Sequence, residues 1–151
     1  MAMRPGRAAA FVTAALLSLV SASFAQNRPS AEIFKARLSP VPINISMMAT
    51  IAGTGSVTAT LTGNQLTIQG AFEGLRSPAT TVQIHRGPKG IRGPAVANLA
   101  DLTVTKAEKG TVGGTLELAP DQIADLRNGR LYVQIQSELA PDGNLWGWLL
   151  Q

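Results

Sequence analysis

The sequence contains no cysteine. That absence removes a disulfide framework, a thiol nucleophile, thioether-linked haem and a lipoprotein anchor together. Histidine occurs once, at His85, so a metal centre built on several imidazoles has no residues to draw on. Aromatic residues make up 5% and charged residues 15% of the 151-residue chain, and no basic tract is interleaved with aromatics. Nucleic acid is therefore not an expected partner. The longest apolar run, Ala8 to Val20, falls short of the roughly 20 residues that a membrane-spanning helix needs.

What is present begins with an export pattern. Arg4 and Arg7 precede that apolar run, and Ser23-Phe24-Ala25 supplies a small-x-small site. This pattern predicts a signal peptide over residues 1–25, cleaved before Gln26, and a periplasmic or secreted protein with no transmembrane helix after cleavage. Cleavage would leave 126 residues, of which 26–31 are polar and expected to be flexible, and 32–151 form a single domain. Without Arg4 and Arg7 the balance is 11 basic against 9 acidic side chains, about +2, so the basicity of the whole chain overstates that of the mature protein. A chain of this length buries about two-thirds of its surface. With no cross-links available, its apolar core must hold it together.

Short runs rich in Thr, Val, Ile, Leu and Gly, broken by turn residues, predict an all-β fold, an antiparallel β-sandwich or Greek-key barrel. Strands are expected at 32–38, 55–61, 65–73, 80–86, 112–118, 131–137 and 145–150, with a further apolar run at 95–99. Pro40 and Pro42 mark 39–43 as extended linker or edge. Gly63-Asn64 reads as a tight hairpin turn, and Gly70 as a bulge. One short helix is expected over 120–129: Pro120 suits a first turn, Ile123 and Leu126 are three apart, and Asn128-Gly129 is a stop. Pro141-Asp-Gly-Asn144 reads as a turn.

Two strands each offer a polar row spaced by two. In Thr81-Val-Gln-Ile-His85 the row is Gln83 and His85; in Leu131-Tyr-Val-Gln-Ile-Gln136 it is Tyr132, Gln134 and Gln136. If these strands pair, Gln83, His85, Gln134 and Gln136 form one polar or ligand-binding patch. Catalysis has little to work with. Ser77 and Ser137 lack a nucleophile-elbow context, and no carboxylate neighbours His85 in the sequence. The expectation is a protein that is not an enzyme and carries no metal or other cofactor, with His85 as a strand-end residue bonded to a glutamine or a loop carbonyl.

The order of these motifs resembles the CHRD (chordin-type) domain family. Its pattern is matched here by Gln83-Ile84-His85, Gly87, Gly90, Gly93-Pro94, Leu126, Gly129, Tyr132-Val133 and Pro141-Asp142-Gly143, over about residues 32–150. The resemblance implies an immunoglobulin-like or superoxide-dismutase-like β-fold with binding or accessory roles. It also implies histidines at two positions where this chain has Gln83 and Gln136, so a family site built on them would keep only His85.

Two further features stand out. In the loop 87–94, Arg86, Lys89 and Arg92 alternate with Gly87, Gly90 and Gly93, which suits a solvated connection or a contact surface that offers backbone N–H groups to an anion. In the C-terminal strand, Trp146, Trp148 and Leu150 share one face while Leu145 and Leu149 share the other. Apolar on both faces, this strand is either core or, with Met47 and Met48, a surface for another envelope protein. The expected function is a non-catalytic accessory subunit of an envelope complex, with a periplasmic oxidoreductase such as a quinoprotein dehydrogenase and its cytochrome as one host. The alternatives are a metal-handling or redox protein that uses His85, and a small-ligand-binding β-sandwich.

Overall fold

The computed structural model describes residues 30–96 and 102–151. The predicted signal segment, residues 26–29 and part of the apolar run at 95–99 lie outside them. The strands are β1 (Glu32–Pro40), β2 (Thr54–Thr62), β3 (Gln65–Glu73), β4 (Ala79–Arg86), β5 (Thr103–Val104), β6 (Gly110–Glu117), β7 (Leu131–Ser137) and β8 (Ala140–Trp148). The helix α1 (Pro120–Arg127) lies between β6 and β7.

All eight strands join one antiparallel sheet in the order β4-β7-β8-β1-β2-β3-β6-β5. The sheet curls until its ends approach. The Ala79 N–H at the start of β4 donates to the Ala107 carbonyl beyond β5 at 3.0 Å, and the Leu75 N–H to the Glu108 carbonyl at 3.1 Å. The product is a nearly closed barrel, an arrangement that leaves little free strand edge. The expected all-β barrel with one short helix is the fold observed.

Period-two alternation fills the barrel. Phe34, Ala36 and Leu38 of β1, Val57, Ala59 and Leu61 of β2, and Leu66, Ile68 and Phe72 of β3 pack inside with Leu131, Val133 and Ile135 of β7. Each large apolar side chain buried in this way contributes about 1.5–3 kcal/mol. The β2–β3 hairpin turns on Gly63, whose φ of 64° is the left-handed value that a two-residue hairpin loop requires. At the start of α1, Gln122 Oε1 accepts the Ala119 N–H at 2.9 Å, and Pro120 takes the first helical position.

The structure corrects two local readings. Gly70 is not a bulge: it stays in register opposite Val57, and a Cβ there would stand 2.4 Å from the Ser56 carbonyl oxygen. The glycine is needed for close approach. Pro141-Asp-Gly-Asn144 is not the chain reversal either. The reversal is at Glu138-Leu139, and 141–144 bulge out within β8, between the pairs Ser137↔Ala140 and Ile135↔Leu145.

A second, smaller core lies outside the barrel, on the outer face of β7 and β8. Trp146, Trp148, Tyr132 and Ala140 are covered there by Val41, Ile51 and the half-buried Met47, from the segment that follows β1. The second apolar face of β8 is thus met by this chain itself. Among the described residues, no helix is long and apolar enough to cross a membrane.

Candidate functional site

The pairing of β4 with β7 sets Thr81 opposite Gln136, Gln83 opposite Gln134 and His85 opposite Tyr132. On this face three of the predicted patch residues meet. Gln136 Nε2 donates to Gln83 Oε1 at 2.8 Å, and His85 Nε2 lies 3.2 Å from the same oxygen. Thr81 Oγ1 donates to Gln136 Oε1 at 2.9 Å, which extends the chain of polar contacts. Gln134 does not join: its amide donates to the Asp142 carbonyl at 3.2 Å, tying down the β8 bulge.

The other ring nitrogen of His85, Nδ1, lies 2.8 Å from the Gly93 carbonyl oxygen. The His85 ring stacks on Tyr132 at 5.2 Å between centroids with 22° between planes. Tyr132 Oη accepts the Gly93 N–H at 2.9 Å and donates back to the Gly93 carbonyl at 3.3 Å. His85 and Tyr132 together therefore anchor the Gly87–Pro94 loop. Sequence reasoning placed Tyr132 in the same polar row but gave it no role. Its place in the Tyr132-Val133 part of the family motif was the available signal.

The loop cations diverge. Arg86 Nη2 donates to Asp121 at 2.8 Å and its Nε lies 2.6 Å from Asp125, fixing β4 to α1. The hydrogen bond from Arg86 holds the Asp121 carboxyl below its ordinary range, against desolvation that pushes it up. Arg92 donates to the Asp142 carbonyl at 2.9 Å. Lys89 alone of the three points into an open groove beside the tryptophans. The glycines serve two purposes: Gly90 adopts a φ of 85°, while a Cβ on Gly93 would stand only 1.7 Å from the Arg86 carbonyl oxygen. The Gly87 and Gly93 N–H groups are spent inside the protein, on the Arg130 carbonyl and Tyr132, and are not offered to an anion.

The predicted partner residues separate in the same way. Trp146 and Trp148 are 7% and 8% exposed, and Trp148 Nε1 donates to the Gly87 carbonyl at 2.9 Å. Their rings lie 4.7 Å apart and both pack on Tyr132, at 5.7 and 4.6 Å. The core reading therefore describes the tryptophans, whereas Leu150 and Met48 are 38% and 58% exposed. Among the described residues, no group of three or more His, Cys, Asp or Glu side chains could hold a metal ion.

The outer face of the barrel thus carries an aromatic cluster, to which the glycine-rich loop is bonded through Gly87 and Gly93. The family model described as CHRD domain matches residues 34–149, and the chain belongs to that family, whose domains occur in extracellular proteins. No curated protein and no solved structure matches it.

Proposed function

We propose that this protein is a non-catalytic, exported binding domain that serves as an accessory subunit of a larger envelope protein complex. The observation that carries the reading is an exposed apolar strip on the segment between β1 and β2. Ile43, Ile45 and Met48 are 44%, 89% and 58% exposed within six residues. The strip is held in place: the Val41 N–H bonds the Asn144 carbonyl at 2.9 Å, Asn44 caps the short turn that follows, and Val41, Met47 and Ile51 are seated on the tryptophan cluster. A rigidly presented cluster of this kind suits a protein contact better than a lone exposed leucine does. The engagement of both His85 nitrogens inside the protein supports a scaffolding role for that residue. The signal-like N-terminus supports a periplasmic site, and a periplasmic oxidoreductase is one host that compartment would supply.

A photo-crosslinking residue at position 45, introduced in the native envelope, tests the reading. The expected product is one discrete cross-linked species that disappears when Ile43 and Met48 are both changed to Glu. A monomer that cross-links to nothing, or a product indifferent to those changes, would overturn it.

A further inference from the structure

An open groove of about 340 Å³ lies on the outer face of β8, between β1 and the Gly87–Pro94 loop. Trp146, Gly147 and Trp148 form its floor, Lys35, Arg37 and Ser39 its β1 side, and Lys89 its loop side. Register explains the assembly. Lys35 pairs with Leu150 and Ser39 with Trp146, which sets Arg37 beside Trp148. The outward row of β1, about 7 Å per two-residue step, thus lies along the outward row of β8. Gly147 permits the close approach, because a Cβ there would stand 2.5 Å from the Arg37 carbonyl oxygen.

The charge in this groove is unbalanced. No carboxylate lines it. Among the described residues, Lys35, Arg37 and Lys89 form no ion pair, while Arg86 and Arg127 do. A cleft lined by charge of one sign over an apolar wall concentrates its field and attracts the opposite charge.

We propose that this groove binds a linear acidic saccharide of the uronate type. Its carboxylates would meet Lys35, Arg37 and Lys89, and the C–H faces of its rings would rest on an apolar floor made of the narrow exposed edges of Trp146 and Trp148 and of Leu150, which is 38% exposed. Each competing ligand fails on a specific feature. An extended peptide would gain most by adding a strand, but β1 and β8 are already paired with each other and with β2 and β7. A neutral sugar would leave the three cations of the groove without a counter-charge. A small inorganic anion would leave the tryptophan floor unused. The site is distinct from the Ile43–Met48 strip, so this inference does not depend on protein docking there.

Trp146 and Trp148 are the only tryptophans in the chain, so their fluorescence reports on the groove. Trigalacturonate is the probe, with maltotriose, triglutamate and inorganic phosphate as comparisons. Trigalacturonate should change tryptophan emission saturably, and raised salt should weaken it, since exposed charges are screened within about 10 Å at 0.1 M. Lys89→Ala should weaken it about 3–10-fold, and Lys35→Glu with Arg37→Glu at least about 30-fold, as expected for losing and then reversing charged hydrogen bonds. These side chains lie on the solvent face, and an unchanged unfolding midpoint will confirm that the barrel is intact. Should the double variant unfold, Lys89→Glu on the loop replaces it, with the same loss expected. Equal binding of maltotriose, equal or tighter binding of triglutamate or phosphate, or affinity indifferent to the charge changes would each overturn the proposal.

Discussion

Gln136 Nε2 donates to Gln83 Oε1 at 2.8 Å across the β4–β7 pair, and His85 Nε2 reaches the same oxygen at 3.2 Å. The two positions at which the family resemblance implies histidine are therefore in contact with each other, and Gln83 also contacts the histidine that this chain has. Amide groups now occupy a place geometrically suited to ligand atoms. A tetrahedral zinc with bonds of about 2.0–2.1 Å needs ligand atoms about 3.3 Å apart, close to the present spacing. Gln83→His combined with Gln136→His should accordingly create a three-imidazole site. Calorimetric titration with zinc should show one equivalent bound by the double variant, and loss of that binding when His85→Ala is added. No gain of binding would mean that the three positions do not converge.

The aromatic cluster should matter for stability. Trp148→Phe keeps most of the ring volume but leaves the Gly87 carbonyl without its donor at 2.9 Å, a loss of about 1–3 kcal/mol for a buried group. Trp146→Ala removes a side chain that is 7% exposed and should cost about 3–5 kcal/mol. Urea unfolding followed by circular dichroism will read both. A Trp146→Ala protein as stable as the parent would mean that this face is not packed.

Gly93→Ala is the most disruptive small change the loop offers. Its methyl would meet the Arg86 carbonyl oxygen at 1.7 Å, so the backbone must move, at about 1–3 kcal/mol. Displacement also breaks the contacts from His85 and Tyr132 to Gly93. The expected readouts are a lower unfolding midpoint and faster amide exchange over 87–94. Gly90→Ala opens no such clash, since nothing lies within 4 Å, but it strains a φ of 85° and should cost about 1–2 kcal/mol by that route alone.

Acid should weaken the protein through two surface ion pairs. Arg127 hydrogen-bonds Glu32, and Arg86 hydrogen-bonds Asp121, each holding its carboxyl below the ordinary value despite some desolvation. A depressed folded-state value means that the stabilisation is complete above the unfolded value and is lost as pH falls through the folded one. Melting temperature should therefore be flat from neutral pH down to about 5 and fall below about 4. Glu32→Gln should flatten part of that fall. A full acid-induced fall in Glu32→Gln would assign the effect elsewhere.

Much of the fold was legible because it rests on local patterns. The alternation in Val57-Thr-Ala-Thr-Leu61 fixes which side faces the barrel, and Pro120 with Asn128-Gly129 brackets the helix. β5 was missed because two residues, Thr103 and Val104, carry no periodicity to read. Gly70 and Pro141–Asn144 were misjudged because a glycine in a strand suits a bulge or close approach equally, and a Pro-Asp-Gly-Asn string suits a bulge as well as a reversal.

The candidate site divides in the same way. Sequence alone determined that Gln83 and His85 share a face, that Gln136 sits in a similar row, and that β8 is apolar on both sides, since each follows from a two-residue period. Pairing partners on β4 and β7 are 45 to 58 residues apart, and no local pattern encodes them. Tertiary structure alone decided that Gln134 turns to the β8 bulge and that Arg86 is claimed by α1. It also decided that the tryptophans are covered by Val41 and Ile51, and that Lys35, Arg37 and Lys89 converge on one groove. The reason is register: side chains on β1, β8 and a distant loop become neighbours only when the sheet closes and their strands align.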